Sequence, residues 1–154
     1  MQFGKIRDLR EDNDLTQFQV AQYLGVKRST YAMWELGDVN FPIEKLVRLA
    51  NLFHSNVDYM LDLSTSKVAI HYGDNVDLEF IGNQIRRYRL RINKTQREFA
   101  NYLGVKQSSY SYYEEGKIRI PTRCLISLCS RYHISLSQIC GGKYKIVNQN
   151  VTKV

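Results

Sequence analysis

The stretch LTQFQVAQYLGVKRSTYAMWELGDVNFP, residues 15–42, decides the fold of this chain, and it occurs twice. The second copy is KTQREFANYLGVKQSSYSYYEEGKIRIP, residues 94–121, and both copies contain the letters YLGVK. The second residue of each copy is a threonine, Thr16 or Thr95, and it is followed three residues later by Gln or Glu, which is the capping box that starts a helix. Gly25 and Gly104 are the expected left-handed residues that end this helix, and a further helical pattern follows almost at once. The stretch therefore predicts two helices joined by a tight turn, in two places.

The repeat extends beyond these stretches. Shifting the chain along itself by 79 residues pairs residues 6–61 with residues 85–140 without a gap, and 19 of the 56 pairs are identical. An internal duplication predicts two units of about 60 residues, each of which is large enough to fold around a small core. We predict a first domain at residues 1–62, a linker at 63–80, a second domain at 81–142 and a C-terminal tail at 143–154.

The composition indicates a globular protein with a polyanionic partner. Apolar residues make up 44% and charged residues 24% of the 154 positions, and the formal net charge is +7. The charge is distributed unevenly, because residues 1–62 hold 7 Lys and Arg against 9 Asp and Glu, whereas residues 79–142 hold 11 against 4. A positive charge favours nucleic acid as a partner, and its distribution favours the second unit as the part that binds it.

Membrane spans, secretory signals and disulfides are not predicted. The apolar runs are too short to cross a membrane, and the N-terminus lacks the apolar core of a secretory signal. The three cysteines are odd in number and confined to the last third of the chain, which argues against a disulfide framework. We therefore expect a protein of the reducing cytoplasm that makes no membrane contact.

The sequence of each unit predicts five helices. The first carries apolar and arginine positions at helical spacing, the second begins at the capping box, and the third begins shortly after the glycine that ends the second. Pro42 and Pro121 mark the start of a fourth helix. Asn56 and Ser135 are candidate caps of a short fifth helix.

This ordered pattern resembles the lambda-repressor-like, Xre-type helix-turn-helix family. The resemblance rests on the T-Q start, the apolar-Ala pair, the L-G-V turn, the aromatic-Glu-x-Gly end and the following proline, all of which occur in both copies. It covers about 56 residues of each unit. It implies an all-α fold with two five-helix helix-turn-helix domains joined by a linker, with short β segments possible in the linker and tail.

The resemblance also implies a set of DNA-binding residues. The third helix of each unit, at about residues 28–36 and 107–115, is expected to lie in the major groove of double-stranded DNA. Phosphate contacts are expected at Gln17 and Gln96, because the amide groups at a helix N-terminus favour an anion. Carried over by position, the candidates around the starts of the third helices are Lys27, Arg28, Ser29, Thr30, Met33, Lys106, Gln107, Ser108, Ser109 and Tyr112.

The base-reading candidates differ in chemistry between the two copies. Arg28 suits guanine through two hydrogen bonds, whereas Gln107 suits adenine. Met33 offers only an apolar contact, such as one to a thymine methyl group, while Tyr112 offers a ring and a hydroxyl group. The two units are therefore expected to prefer different DNA sequences.

Lys27 and Lys106 depart from the family pattern, in which a small hydroxyl residue usually caps the third helix. The loss of such a cap costs about 1 kcal/mol. A DNA phosphate that meets the lysine would offset this cost, and the alternative is a lysine that merely faces solvent.

The two copies also differ in the charge of the loop that follows the third helix. The first unit has Asp38 and Asn40 there, and the second has Lys117 and Arg119. Family members often use basic residues in this loop to hold the DNA backbone, and each neutralised phosphate adds about 0.9 to the salt dependence of binding. We therefore add Lys117 and Arg119 to the candidate DNA contacts.

Several other conspicuous residues are expected to be structural. The family pairs its glutamate of the third helix with an arginine of the first helix, which matches Glu35 with Arg10 and Glu114 with Arg89. The histidines and cysteines do not have metal-ligand spacing. No catalytic set, phosphate loop or cofactor motif is present, so we predict neither an enzyme nor a bound metal or cofactor.

The sequence of the linker and the tail allows more than one arrangement of the two units and more than one oligomeric state. Both contain strand-like stretches, so they are either a flexible linker and a frayed tail or two segments that pair as strands. Family members usually bind DNA as two-fold dimers, which predicts a homodimer. A linker of 18 residues reaches about 60 Å when extended, so one chain could instead form a pseudo-dimer, or the first unit could dimerise or dock a protein while the second holds DNA.

The function predicted from the sequence is that of a sequence-specific DNA-binding transcriptional regulator of prokaryotic or phage type, in which the second unit is the stronger DNA binder. The alternative is a protein-interaction or dimerisation module, formed mainly by the acidic first unit, or an antitoxin-type regulator.

Overall fold

The computed structural model of the chain describes residues 4–37, 41–73, 75–147 and 150–153. The helices of the first unit are α1 (Gly4–Asp12), α2 (Gln17–Leu24), α3 (Arg28–Leu36), α4 (Ile43–Leu52) and α5 (Val57–Met60). Those of the second unit are α6 (Leu78–Arg91), α7 (Gln96–Leu103), α8 (Gln107–Glu114), α9 (Thr122–Tyr132) and α10 (Leu136–Ile139), followed by strands β1 (Tyr144–Val147) and β2 (Asn150–Lys153). The predicted all-α fold with two five-helix units is confirmed. No helix in the described ranges is long and apolar enough to cross a membrane.

The second helix of each unit starts and ends as predicted. The Thr16 hydroxyl accepts a hydrogen bond from the Gln19 amide at 3.1 Å, and the Gln19 side chain accepts one from the Thr16 amide at 2.9 Å. Thr95 and Glu98 make the same two bonds at 3.1 and 2.7 Å. Gly25 ends α2 with a φ of 71°, a conformation that glycine adopts without a steric penalty. Both capping boxes are complete, so the first turn of α2 and of α7 is fixed locally.

The fourth and fifth helices also begin where the sequence predicts. Pro42 and Pro121 stand directly before α4 and α9. The Asn56 side chain accepts a hydrogen bond from a backbone amide of α5 at 2.8 Å, and the Ser135 hydroxyl accepts one from α10 at 3.3 Å. The predicted caps of the two short helices are confirmed.

Aromatic rings hold the third helix of each unit against the core. In the first unit, Tyr31 and Trp34 of α3 pack on Phe41 with ring centroids 6.3 and 4.9 Å away. In the second unit, Tyr110 of α8 packs edge-on against Phe99 of α7 with the centroids 5.8 Å apart. Rings bury a large apolar area and prefer such tilted or edge-on geometry, so one side of each third helix is fixed inward and the other is left in solvent.

A buried ion pair joins the first and third helices of both units, as predicted. The Arg10 guanidinium donates to the Glu35 carboxylate at 3.0 and 2.9 Å, and Arg89 donates to Glu114 at 2.6 and 3.1 Å. Burial by itself would raise the pKa of either glutamate, but the hydrogen bonds and positive charge of its arginine, together with the other polar neighbours of the carboxylate, outweigh burial and hold the pKa below its ordinary value. Both glutamates are therefore ionised partners of a buried charge.

The two units pack on each other through their fifth helices, α5 and α10. The Asp58 carboxylate of α5 accepts hydrogen bonds from the first residues of α10. The donors are the Leu136 amide at 2.8 Å, the Ser137 amide at 2.9 Å and the Ser135 hydroxyl at 3.2 Å. A negative charge at a helix N-terminus is favourable, so Asp58 is a helix cap that one unit supplies to the other.

Asp58 and Ser137 occupy the same position of the 79-residue repeat. Equivalent residues meet across an interface where the axis that relates the two units passes close to them, as it does at the centre of a two-fold pair. The bond of 2.9 Å between the Ser137 amide and the Asp58 carboxylate places this repeat position at the contact between the units. The chemistry of this interface is nevertheless asymmetric, since Ser137 has no carboxylate with which to cap α5 in return.

Tyr72, a residue of the predicted linker, lies in the same interface between α5 and α10. Its hydroxyl accepts a hydrogen bond from the Val57 amide at the start of α5, at 3.1 Å, and shares one with the Ser137 hydroxyl at 2.8 Å. The Tyr72 backbone is bonded to the Asn51 side chain in both directions at 3.0 Å, and the ring is almost fully buried. This part of the linker therefore belongs to the core and does not behave as a flexible connection.

The linker and the tail pair with each other, as one hypothesis predicted, at a single position among the described residues. His71 and Lys143 form an antiparallel bridge with backbone hydrogen bonds of 3.3 and 2.9 Å. Beyond this bridge, β1 pairs with β2 in an antiparallel hairpin, so the tail pairs with itself and not with the linker. Helix α6 begins at Leu78, inside the segment predicted as linker, and the domain boundaries remain predictions.

Candidate nucleic-acid interface

The start of α3 exposes the side chains that the sequence singles out in the first unit. Helices α2 and α3 pack against each other with only residues 25–27 between them. Tyr31, Trp34 and Glu35 are buried on the inner side of α3. Of the predicted contacts, Lys27, Arg28, Ser29 and Met33 are exposed, and Thr30 is half-buried.

The start of α8 has the same arrangement in the second unit. Tyr110, Tyr113 and Glu114 are buried on its inner side. Of the predicted contacts, Lys106, Gln107, Ser108 and Tyr112 are exposed, and Ser109 is half-buried. In both units the predicted residues therefore share one solvent-facing surface around the helix start, and their contact with DNA remains a prediction.

The third helices begin without a side-chain cap. Lys27 and Lys106 stand at the N-cap positions with extended backbone, and neither side chain makes a capping hydrogen bond. A lysine side chain has donors only, so it cannot satisfy the first amide groups of the helix. These amide groups and the adjacent ammonium group form a surface that suits an anion.

The glutamines at the starts of α2 and α7 have different partners. Arg28 Nη1 donates to Gln17 Oε1 at 3.0 Å, so this side chain links α2 to α3. Gln96 Nε2 instead donates to the Glu114 carboxylate at 2.9 Å. The residue at the Arg28 position is Gln107 in the second unit, which removes the partner that Gln17 has in the first. Sequence comparison predicted the two glutamines as equivalents and did not predict this difference.

The basic loop after α8 is held by ion pairs. Lys117 Nζ lies 2.7 Å from Glu115 Oε2 and 5.6 Å from the centre of the Tyr112 ring. Arg119 Nη1 lies 2.7 Å from Glu44 Oε1 at the start of α4, so this arginine bridges the two units. Their acidic partners orient both cations at the foot of α8. The corresponding residues of the first unit, Asp38 and Asn40, lie outside the described residues.

Arg86 and Asn83 belong to the same surface and were missed by the sequence analysis. They line a groove between α6 and α8, with a volume of about 420 Å³, together with Gln96 and Lys117. In the first unit, the equivalent Arg7 is paired with Glu11 at 3.0 Å. The residue at the Glu11 position in the second unit is leucine, and this substitution is the sequence signal that could have identified Arg86.

The cysteines and histidines show no site of their own. Cys124 and Cys129 are buried free thiols, and burial raises the pKa of each, which disfavours the reactive thiolate. His54 and His133 end α4 and α9 with φ angles of 51° and 54°. Within the described part of the chain, no group of three His, Cys, Asp or Glu side chains is placed to hold a metal ion.

Comparison with known proteins identifies the repeated unit. A family model described as helix-turn-helix matches residues 6–60 and again residues 85–139, which together exceed half of the chain. The two matches coincide with the two copies of the repeat. No solved structure shows a significant match.

Three curated relatives share part of the sequence. The uncharacterized HTH-type transcriptional regulator YobD of Bacillus subtilis is 38% identical over 60 residues, which are 39% of this chain and 54% of the relative. The antitoxin PezA of Streptococcus pneumoniae is 33% identical over 61 residues, covering 40% and 39%. The cryptic phage CTXphi transcriptional repressor RstR of Vibrio cholerae is 41% identical over 50 residues, covering 32% and 45%. The chain thus spans about half or less of the length of each relative.

Proposed function

Because the chain belongs to the helix-turn-helix family, once with each of its units, we propose that it is a sequence-specific DNA-binding transcriptional regulator of prokaryotic or phage type. The observation that carries this proposal is the solvent-facing start of the third helix in both units. Its inner side is fixed by buried rings and an ion pair, while its outer side presents polar and basic side chains. A rigid helix that offers such side chains fits the major groove. Two of the relatives are named as a transcriptional regulator and a transcriptional repressor, which supports the same role.

The two units have different base-reading chemistry in this proposal. Arg28 pairs with guanine, but it must release Gln17 or share its guanidinium to do so. Gln107 pairs with adenine through its amide group. Ser29, Ser108, Met33 and Tyr112 complete the two surfaces, and the half-sites that they select differ in sequence.

The second unit is the stronger DNA binder in this proposal. Lys106, Lys117 and Arg119 surround the start and the end of α8, and all three are exposed. Gln96 is the first residue of α7, and the backbone amide groups of this first turn face a phosphate in the complex. The first unit offers fewer cations, and its net charge is negative, so it adds sequence preference more than affinity.

One chain acts as a pseudo-dimer in this proposal. The contact between the equivalent residues Asp58 and Ser137 supports a two-fold pairing of the two units within a single chain. The salt bridge of Arg119 to Glu44 adds a second contact between the units. Two-fold pairing implies inverted half-sites about 34 Å apart, and the differing reading residues imply an imperfect palindrome. A homodimer is the alternative assembly.

A second candidate function is that of a protein-binding module in the first unit. Phe18 and Leu36 are 61% and 62% exposed, whereas the equivalent residues of the second unit are Arg97 and Glu115. Two large, strongly exposed apolar side chains on an acidic unit favour a protein partner over DNA. The likeness to a protein named as an antitoxin gives this alternative a further basis.

Selection of bound sequences from random duplex DNA tests the proposal on the full-length chain. We expect an imperfect inverted repeat with the intact protein. The variants Arg28→Ala and Gln107→Ala should each relax preference at one half-site, because each loses about 1–3 kcal/mol of base discrimination. If no sequence is enriched, the regulator function is wrong. If only Gln107→Ala changes the motif, the second unit alone reads bases and the first unit takes the protein-binding role.

Stoichiometry separates the pseudo-dimer from the homodimer. One chain per selected site, measured by the mass of the complex in solution, is expected for the pseudo-dimer. Two chains per site contradict pairing within one chain.

A further inference from the structure

A basic cleft lies along α6 on the side that faces α10 and the start of the tail. The cleft has a volume of about 500 Å³ and is lined by the cations Arg87, Arg91 and Lys143 together with Tyr88 and polar or glycine residues. None of its lining residues is acidic. Three cations without a counter-charge in one concave surface form a site for a negatively charged partner.

The basic cleft is separate from the candidate DNA interface. The groove between α6 and α8 is lined by Asn83 and Arg86, and the two concavities have no lining residue in common. Each residue advances an α-helix by 100°, so Arg87 and Arg91 lie about a quarter of a turn away from Asn83 and Arg86. DNA contacted by α8 and the α6–α8 groove therefore does not account for the charge of the basic cleft.

Neither arginine of the cleft is neutralised by a side chain that the structure describes. Among the described residues, Arg87 and Arg91 have no ion-pair partner. The Arg91 guanidinium lies 5.3 Å from the centre of the Tyr88 ring, a contact that orients it and leaves its charge uncompensated. The cleft is therefore preorganised and unpaired.

The matching face of α1 carries the opposite charge. The repeat aligns Arg87 with Asp8 and Arg91 with Asp12, and both aspartates are exposed. Asp8 has no ion-pair partner among the described residues, and Asp12 has only a long contact of 3.7 Å with Lys67. Both pairs are four residues apart, which is about 6 Å along a helix. The acidic face of α1 and the basic cleft thus match in sign and in spacing.

We propose that the basic cleft is the docking site for α1 of a second copy of this chain, with Asp8 and Asp12 against Arg87 and Arg91. The two faces belong to different units, so each chain offers one of each. Such a contact joins two different surfaces, so chains line up in series unless the rotation between them closes a ring. Lys143 at the rim adds a third cation to the basic side.

The contact is weak and depends on salt. Exposed ion pairs contribute little each and are screened within about 10 Å at moderate ionic strength. The association therefore becomes important when chains are held close together, as on neighbouring sites of one polymer, because the effective concentration is then high.

Sedimentation velocity of the full-length chain without DNA tests this docking. At about 50 mM salt we expect the average mass to rise with protein concentration, and at about 500 mM salt to return to that of one chain. The double variants Arg87→Glu/Arg91→Glu and Asp8→Arg/Asp12→Arg should each remain single chains, because both faces then carry the same sign. An equimolar mixture of the two variants should associate again, since each basic face then meets an acidic one.

The control variant Arg123→Glu/Arg131→Glu makes the same change in net charge on α9 and should associate like the unaltered chain. Docking is refuted if the unaltered chain stays single at low salt, or if the mixture associates no better than its components. It is also refuted if Arg87→Glu/Arg91→Glu leaves association unchanged but weakens binding to a short duplex of random sequence, because nucleic acid is then the occupant of the cleft.

Discussion

Around the same buried arginine–glutamate pair, the two units arrange their surface charges differently. In the first unit, Arg7 is paired with Glu11 at 3.0 Å on the exposed side of α1. In the second unit, the residue at the Glu11 position is Leu90, and Arg86 has no ion-pair partner among the described residues. A buried charge pair is costly to break, whereas exposed pairs contribute little. A duplicated scaffold therefore keeps its interior and can change its surface at almost no cost in stability.

The largest expected effect comes from breaking the shared interior. Glu114→Ala leaves the buried guanidinium of Arg89 without its partner and should destabilise the chain by about 3–5 kcal/mol. Glu35→Ala should have an effect of similar size in the first unit. Denaturant unfolding measures both losses. Glu115→Ala, which removes only exposed contacts to Lys117 and Ser111, is the control, and an equal loss in that variant would contradict the distinction between interior and surface.

The same glutamates should make stability depend on pH. Their pKa values are lower in the folded chain than the ordinary value of 4.5, so the folded state binds fewer protons than the unfolded state. Their contribution is therefore fully present above this value and is lost as the pH falls below it. Unfolding free energies measured from neutral to acidic pH should decline less steeply for Glu114→Gln than for the unaltered chain. Parallel curves would indicate that other carboxyl groups dominate.

The interface between the units should respond unequally to changes at its two equivalent positions. Asp58→Ala removes three hydrogen bonds from the start of α10 and should cost roughly 2–3 kcal/mol, because bonds to a charged acceptor are strong. Ser137→Ala removes only the bond to the Tyr72 hydroxyl and should cost about 1 kcal/mol. Denaturant unfolding measures both, and equal losses would contradict the asymmetry of the interface.

A smaller effect is expected on the salt dependence of DNA binding. Lys117→Ala and Arg119→Ala each remove one candidate phosphate contact, so each should lower the slope of log affinity against log salt by about 0.9. Arg119→Ala also removes the salt bridge to Glu44. The variant Glu44→Gln keeps the arginine and removes the bridge, so an equal change in that variant would assign the effect to the interface between the units.

The smallest effect should follow from restoring the missing surface pair. Leu90→Glu places a carboxylate four residues after Arg86, which should add about 0.2–0.5 kcal/mol of stability and weaken DNA binding about twofold. Glu11→Leu is the reverse change in the first unit and should release Arg7. Titration with the selected DNA at low salt measures the affinity. A Leu90→Glu variant with unchanged affinity would exclude Arg86 from the interface.

Local signals predicted most of the fold. The capping boxes at Thr16 and Thr95 and the left-handed Gly25 act within a few residues of their own position, so the sequence contains the whole interaction. The buried pairs of Arg10 and Arg89 were predicted through the resemblance and not from spacing. The residues at the start of α3 and α8 were likewise predicted by position through the resemblance, and most of them are exposed in the structure.

The contacts between the units were not predicted. Asp58 lies 79 residues before Ser137, and its sequence neighbours give no sign that it caps a helix of the other unit. Tyr72 was part of a segment interpreted as linker, although its hydroxyl joins both fifth helices. Arg119 was predicted as a phosphate contact, and its partner Glu44 was not considered. Such contacts depend on how two rigid units meet, which no local pattern records.

The sequence by itself determined the repeat, the helices and their caps. Each of these depends on periodicity or on a bond between near neighbours, so a linear string is sufficient. Only the tertiary structure decided that the fifth helices meet, that Asp58 caps α10, and that the linker supplies Tyr72 to the same interface. These features arise from packing between distant segments, where shape and hydrogen-bond geometry select the partner and sequence distance is irrelevant.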